Sequence, residues 1–458
     1  MKKLTGNILF LSVIFLLSCV GPNEDEFTEV NSWIRENMEE NYLWNERVPE
    51  NVDGSIVPNS YFGSMLDPDD FDSYIVDDVK LLPSEATSDA TVFTTGLSPI
   101  FGRFSNSFDA FIVAEFIYPN TPADTSGLNR GDIIIEIDGA PLTVFNVVEL
   151  FYAEKSTTTY TFGRYNAADQ TITSTDDTIS LPQVEIELNP IVHTDVIEQN
   201  GTKIGYLFYN EFVDGENDKY IDSVDVVFQD MIAQGVTEMI VDLRYNNGGS
   251  FDAAKNIGNS LVSQSAAQNE EVFVRFKYNA LQEQRIIDEE GEDSESLRIK
   301  FDSDPDNLGL QSVYFLTSSE TSNTSELLIN GLIPHMSVNI IGGQTSGQFY
   351  GSTVIKGEDA TPQNNYAMVP VNLRYENSEG NSDLFMGLEP DVFVSENLLD
   401  PFQIGDLNEP FLKAALERIS GGSQSVQGQA DQKQPFEKIR DIRAERKGSI
   451  LFRSAEKN

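Results

Sequence analysis

The 458-residue chain contains one cysteine, Cys19, and only two histidines, His193 and His335. One cysteine cannot make an internal disulfide framework. Two isolated histidines do not give the paired spacing of a zinc site, and no Gly-rich phosphate loop is present. The turn Asp302–Gly309 is spaced like a calcium loop but lacks a glutamate at its twelfth position, so it reads as an acidic surface turn. No metal and no cofactor is expected. Positive charge is also scarce: 30 Lys and Arg stand against 74 Asp and Glu, a net charge of −44. Such a surface repels nucleic acid and anionic headgroups, which excludes nucleic acid as a partner. It suits solubility outside the cell. After the first twenty residues no apolar run is long enough to span a bilayer. What the chain does have is 40% hydrophobic residues, enough for two or three packed domains.

The start is a targeting segment. Lys2 and Lys3 precede an apolar run from Ile8 to Leu17, which leads into Leu16-Leu17-Ser18-Cys19. This resembles the bacterial lipoprotein processing site, with residues 1–19 as a lipoprotein signal peptide and Cys19 as the lipidation site. The resemblance implies a protein held to a membrane of the bacterial cell envelope by its lipid alone, periplasmic or at the outer membrane or cell surface. The acylated cysteine would leave no free thiol, which excludes cysteine catalysis.

Residues 20–93 read as a short acidic tether, then a helical segment. Phe27, Val30, Trp33, Ile34, Met38 and Leu43 recur at roughly helical spacing up to Asn45, and irregular helical material is expected to about residue 90. From 94 to 188 the pattern turns to short β-rich runs. The strand-like Ala110–Ile117 leads to Pro122-Ala123, then Gly127-Leu128, Gly131-Asp132, a strand from Ile133, and Asp138-Gly139. Ile133, Ile135 and Ile137 alternate as a half-buried strand. The series resembles bacterial PDZ domains. That implies capture of extended chain ends by strand addition, with Gly96, Leu97 and Ser98 as the peptide-binding loop.

Residues 189–420 alternate strand and helix, an α/β order. Strands are expected at Lys203–Asn210, Glu238–Arg244, Val313–Thr317 and Val338–Gly342, with helices near 221–232 and 324–332. Residues 421–435, rich in Gly, Ser and Gln, read as a flexible linker. Residues 436–458 form a basic tail, either a helix docked on the acidic body or a disordered extension.

Three segments of the α/β region stand out. Val241-Asp-Leu-Arg-Tyr-Asn-Asn-Gly-Gly249 ends a buried strand in a glycine pair, where the backbone can make a close approach with no Cβ in the way. Leu316-Thr-Ser-Ser-Glu-Thr-Ser-Asn-Thr-Ser-Glu326 precedes an apolar helix, and Gly342-Gly-Gln-Thr-Ser-Gly-Gln348 follows the next strand. Together they resemble the tail-specific (C-terminal processing) serine peptidases. The resemblance runs from about Phe27 to Ile419 and implies a crotonase-like α/β peptidase core beside the β-rich PDZ domain and the N-terminal helical segment. It also implies unfolded or extended protein C-termini and peptides as partners, with Gly248, Gly249 and Thr324 as the oxyanion hole. The family's nucleophilic serine falls on Asn323 and its general-base lysine on Gln348.

An amide is a poor nucleophile, and Gln348 has no basic lone pair with which to take a proton. Loss of one member of such a pair costs many orders of magnitude in rate. Ser318, Ser319, Ser322 and Ser325 read as capping and turn hydroxyls. His335, past Ile333-Pro334, lies two to three helical turns from Asn323 and cannot replace the base. The leading expectation is a peptide binder without hydrolysis. The alternatives are an active peptidase with an unrecognised nucleophile, and a regulator of an active paralogue.

Overall fold

The computed structural model describes residues 24–79, 82, 91–105, 107–303, 306–359, 364–382, 386–421 and 434–440. The signal peptide with Cys19, most of the linker and the tail beyond Arg440 lie outside the described residues. Among the described residues no helix is long and apolar enough to cross a membrane.

The α/β expectation holds. A six-stranded sheet forms the centre, in the order Ile191–Gln199, Thr202–Tyr209, Glu238–Asp242, Ser312–Thr317, Ser337–Gly342 and Val392–Phe393. Only the first pair is antiparallel. Strand alternation sends neighbouring residues to opposite faces. Leu207 and Tyr209 join one core with Val241, Phe315 and the helices Lys219–Gln234, Phe251–Leu261 and Thr324–Leu332. Tyr206 and Phe208 face the other way, against Phe411 and Leu412 of the helix Pro410–Ile419. Both faces are covered, which is why these strands read as continuous apolar runs.

The N-terminal helix runs over Glu24–Asn41 and buries Val30, Trp33, Ile34 and Met38 against Tyr61, Phe62 and Met368. The segment after it is less helical than expected. Beyond the short helix Pro58–Gly63, Tyr74–Val76 forms a strand paired with Ala367–Val369. Three residues are too few to carry a periodic signal, and the partner strand lies almost 300 positions on in the chain.

The β-rich unit begins at Thr91, where Thr91–Thr94 pairs with Val184–Glu187. Its main sheet contains Leu97–Arg103, Ala110–Ile117, Ile133–Ile137, Thr157–Asn166 and Thr171–Pro182. Simple alternation over Ile133, Ile135 and Ile137 is not what forms. A register shift between Ile134 and Glu136 puts Ile134 and Ile137 in one core and Ile133 and Ile135 in another. The start of the basic tail is neither helix nor free extension. Glu437–Lys438 pairs antiparallel with the edge strand Leu97–Arg103.

Candidate active site

Three parallel strands end side by side, and the loops after them meet at their C-terminal edge, where α/β sheets place their ligand sites. The loops are Leu243–Gly249, Ser318–Asn323 and Gly343–Gln348. The middle one enters the helix Thr324–Leu332 through Asn323, whose φ of 52° is uncommon for a residue with a Cβ.

Buried Glu326 organises the centre. Its carboxylate accepts from the amides of Asn323 (3.2 Å), Gly347 (2.7 Å) and Gln348 (2.8 Å), and from the Thr345 hydroxyl. From the opposite side, the Tyr375 hydroxyl reaches the carbonyl oxygens of Asn323 (2.7 Å) and Gln348 (2.9 Å). Positions 323 and 348 are therefore cross-linked twice through their backbones, and neither link uses their side chains. Burial pushes Glu326 up to about 7, against the pull of its four donors.

The glycine pair lies against this junction. A Cβ on Gly248 would stand 2.9 Å from the Asn323 Cβ and 3.1 Å from the Thr324 nitrogen. A Cβ on Gly249 would stand 2.2 Å from the Phe212 oxygen, and its φ is 127°. The expected oxyanion residues Gly248, Gly249 and Thr324 are thus in one place. The Gly248 amide, however, already donates to Asn246 Oδ1 at 2.9 Å, so it is not aimed at a ligand in this conformation.

Ser318, Ser322 and Ser325 donate to the carbonyls of Arg244, Asn247 and Asn246, so these hydroxyls hold turns together. Ser319 is exposed. His335 is engaged elsewhere, with Glu271 at 2.9 Å, the Val272 carbonyl at 3.0 Å and the Phe301 ring. His193 packs on Tyr206 beside Gly405. Asp302 pairs with Lys255 at 2.6 Å.

Sequence reasoning missed Asp72. Its Oδ1 lies 3.5 Å from Gln348 Nε2, and burial with the nearby Asp70 raises its carboxyl to about 6. Nothing local in Asp69-Asp70-Phe71-Asp72 separates that carboxylate from its neighbours.

Arg130 of the β-rich unit was also missed. Buried, it donates to the Glu115 carbonyl (2.9 Å), the Phe402 carbonyl (2.7 Å), the Tyr245 hydroxyl (2.5 Å) and Glu396. Tyr245 directly precedes Asn246, so the network joins the β-rich unit to the glycine-pair loop. Next to it, Arg244 is fully buried between Asp242 and Glu409. In the expected peptide-binding loop, the Gly96 amide donates to Thr94 Oγ1 at 3.1 Å and Ser98 Oγ to Glu115 at 3.0 Å. Leu97 is buried at the start of the edge strand.

The model for peptidase family S41 matches residues 203–394, and the model for the peptidase S41 N-terminal domain matches residues 29–77. The chain is 22% identical over 294 residues to a chloroplastic C-terminal processing peptidase of Tetradesmus obliquus, matching 61% of this chain and 56% of that protein. It is 22% identical over 343 residues to a carboxyl-terminal-processing protease of a Picosynechococcus strain, matching 74% of this chain and 75% of that one. Against the crystal structure of a candidate S41 protease from Bacteroides fragilis NCTC 9343 the TM-score is 0.68 at 26% identity, covering 85% of this chain and 97% of the other.

Proposed function

Because the chain belongs to peptidase family S41, we propose that it is a member that captures extended protein segments without cutting them, held to a membrane of the cell envelope through a lipid on Cys19. One observation carries this reading. Asn323 and Gln348 occupy the positions of the family's serine and lysine, while Glu326 and Tyr375 keep the two backbones locked together. The frame for a nucleophile and base persists without either group. The committed Gly248 amide adds support, because one oxyanion donor is withdrawn as well.

The β-rich unit serves as a PDZ-type module and presents the edge strand Leu97–Arg103 to incoming chain, with main-chain pairing for affinity and side-chain pockets for choice. The partners are unfolded or extended protein C-termini and peptides; the Tetradesmus and Picosynechococcus relatives are named for C-terminal and carboxyl-terminal processing.

The test takes the soluble protein from Val20 onward. It should leave unstructured β-casein intact, resist labelling by a serine-reactive reagent, and bind members of a library of apolar-ended peptides at micromolar concentration. Casein cleavage by the unaltered protein would overturn the non-hydrolytic part, and absence of any peptide binding would overturn the capture part.

A further inference from the structure

The edge strand Leu97–Arg103 already carries a guest from its own chain. Glu437 lies opposite Arg103 and Lys438 opposite Gly102, and the Ile439 amide donates to the Phe101 carbonyl at 2.7 Å. The guest runs antiparallel, towards Gly96–Ser98. Its side chains alternate between faces of the sheet. Phe436 is buried with Ile100, Phe111, Leu398 and Leu399, its ring 5.3 Å from that of Phe111. Ile439 packs on the opposite core, with Phe101, Val147 and Phe151. Glu437 pairs with Arg103 at 2.8 Å. Lys438 pairs with Glu320, which lies three residues before Asn323, and its charge is also felt by buried Glu115. Gln434 donates to the Glu396 carbonyl at 2.7 Å.

We propose that Gln434–Arg440 is a built-in, displaceable ligand of this edge strand, a latch that excludes incoming peptides and ties the capture edge to the loop carrying Asn323. The inference rests on the reading of the β-rich unit as the capturing module, and it specifies the chemistry that module takes. An extended peptide fits when it offers an aromatic residue to the Phe436 pocket, a lysine two places later to Glu320 and Glu115, and an aliphatic residue next. In a chain of net charge −44, a segment carrying Lys438 and Arg440 is a complementary occupant.

Displaceability follows from size and tethering. The strand pairing spans Glu437 and Lys438 with one further amide bond from Ile439, well below the length of an ordinary strand. The segment returns because it is covalently joined to the core at Gly421, which makes rebinding intramolecular. A competitor must overcome an effective concentration on the order of millimolar. Departure of the latch removes Lys438 from Glu320, so occupancy of the edge is communicated to the nucleophile-position loop by a contact in the structure.

The test uses the protein from Val20 onward, which has no cysteine. Glu437→Cys with Arg103→Cys places two thiols directly opposite each other in the antiparallel register, within disulfide reach. The probe is a fluorescent peptide, Gln-Pro-Phe-Glu-Lys-Ile-Arg. The oxidised, locked form should bind it at least tenfold more weakly than the same protein after reduction. A second variant, Phe436→Asp with Ile439→Asp, should bind at least tenfold more tightly than the unaltered chain, once a thermal melt shows that it is folded. Failure of the disulfide to form under mild oxidation overturns the inference, because the segment is then not on the edge. Equal binding by locked and reduced forms overturns it too, and leaves peptide capture standing at another place. No peptide binding by the folded, latch-released variant overturns both the latch and the capture reading.

Discussion

The Tyr375 hydroxyl donates to the carbonyl oxygen of Asn323 at 2.7 Å. It also lies 2.9 Å from the carbonyl oxygen of Gln348 and shares its one proton between them. Tyr375→Phe keeps the packing and leaves the buried Asn323 carbonyl and the half-buried Gln348 carbonyl without that donor. A loss of about 1–3 kcal/mol is expected in a urea melt. An unchanged midpoint would mean that the clamp contributes nothing.

Restoring chemistry should need three changes. Under the proposed reading Asn323→Ser with Gln348→Lys rebuilds the pair, but a lysine at 348 would face Asp72, whose Oδ1 lies 3.5 Å from Gln348 Nε2. A neighbouring carboxylate stabilises the ammonium and works against a neutral base. Casein cleavage is therefore expected to be faint in the double variant and at least tenfold faster when Asp72→Asn is added. A double variant as fast as the triple would show that Asp72 does not hold the lysine protonated.

The pH dependence of stability carries the mark of Glu326. Its carboxyl titrates at about 7 in the fold, against an ordinary 4.5, because of burial. The folded chain holds this proton more tightly than the unfolded chain. The contribution is fully present below about 4.5 and is lost as pH rises through about 7, with an upper magnitude of roughly 3 kcal/mol. Asp72 acts in the same sense, through about 6. Melting temperatures between pH 5 and 8 should fall less steeply in Glu326→Gln than in the unaltered protein, and identical slopes would count against the assignment.

Arg130 should not tolerate replacement. Its guanidinium serves two carbonyls, Tyr245 and Glu396 from one buried position, which an ammonium cannot match. Arg130→Met leaves Glu396 without this partner, at a cost of about 3–5 kcal/mol. Limited proteolysis should then cut between the β-rich unit and the core, and a chain as resistant as the unaltered one would refute the coupling.

Gly249→Ala tests the tightness of the glycine-pair loop. A Cβ would stand 2.2 Å from the Phe212 carbonyl oxygen, on a backbone with φ of 127°. Strain of roughly 1–3 kcal/mol is expected, read as a lowered denaturation midpoint. A neutral substitution would mean that the loop shifts freely.

Much of the core was legible because its signals are local. The apolar runs of the parallel strands and the capped helix after Asn323 announce themselves within ten residues, and the helix Thr324–Leu332 and the strand Ala110–Ile117 lie where the pattern places them. Asn323 and Gln348 are singled out by the resemblance of the segments around them to the peptidase motifs. Three-residue Tyr74–Val76 was not legible, since its pairing with Ala367–Val369 is a property of the assembled fold.

The sequence by itself determined the composition-level facts and the chemical content of the site. It shows one cysteine, an excess of acidic residues, and side-chain amides at Asn323 and Gln348 in the loops that follow two of the central strands. Tertiary structure decided which groups hold Asn323 and Gln348 and what covers the edge strand Leu97–Arg103. Glu326 lies 22 residues before Gln348, and Tyr375 lies 52 residues after Asn323 and 27 after Gln348, so their convergence is invisible to any local pattern. The basic tail was ambiguous between helix and free extension for the same reason. Strand addition needs an edge with unpaired backbone groups, and that edge, Leu97–Arg103, exists only once its sheet has folded.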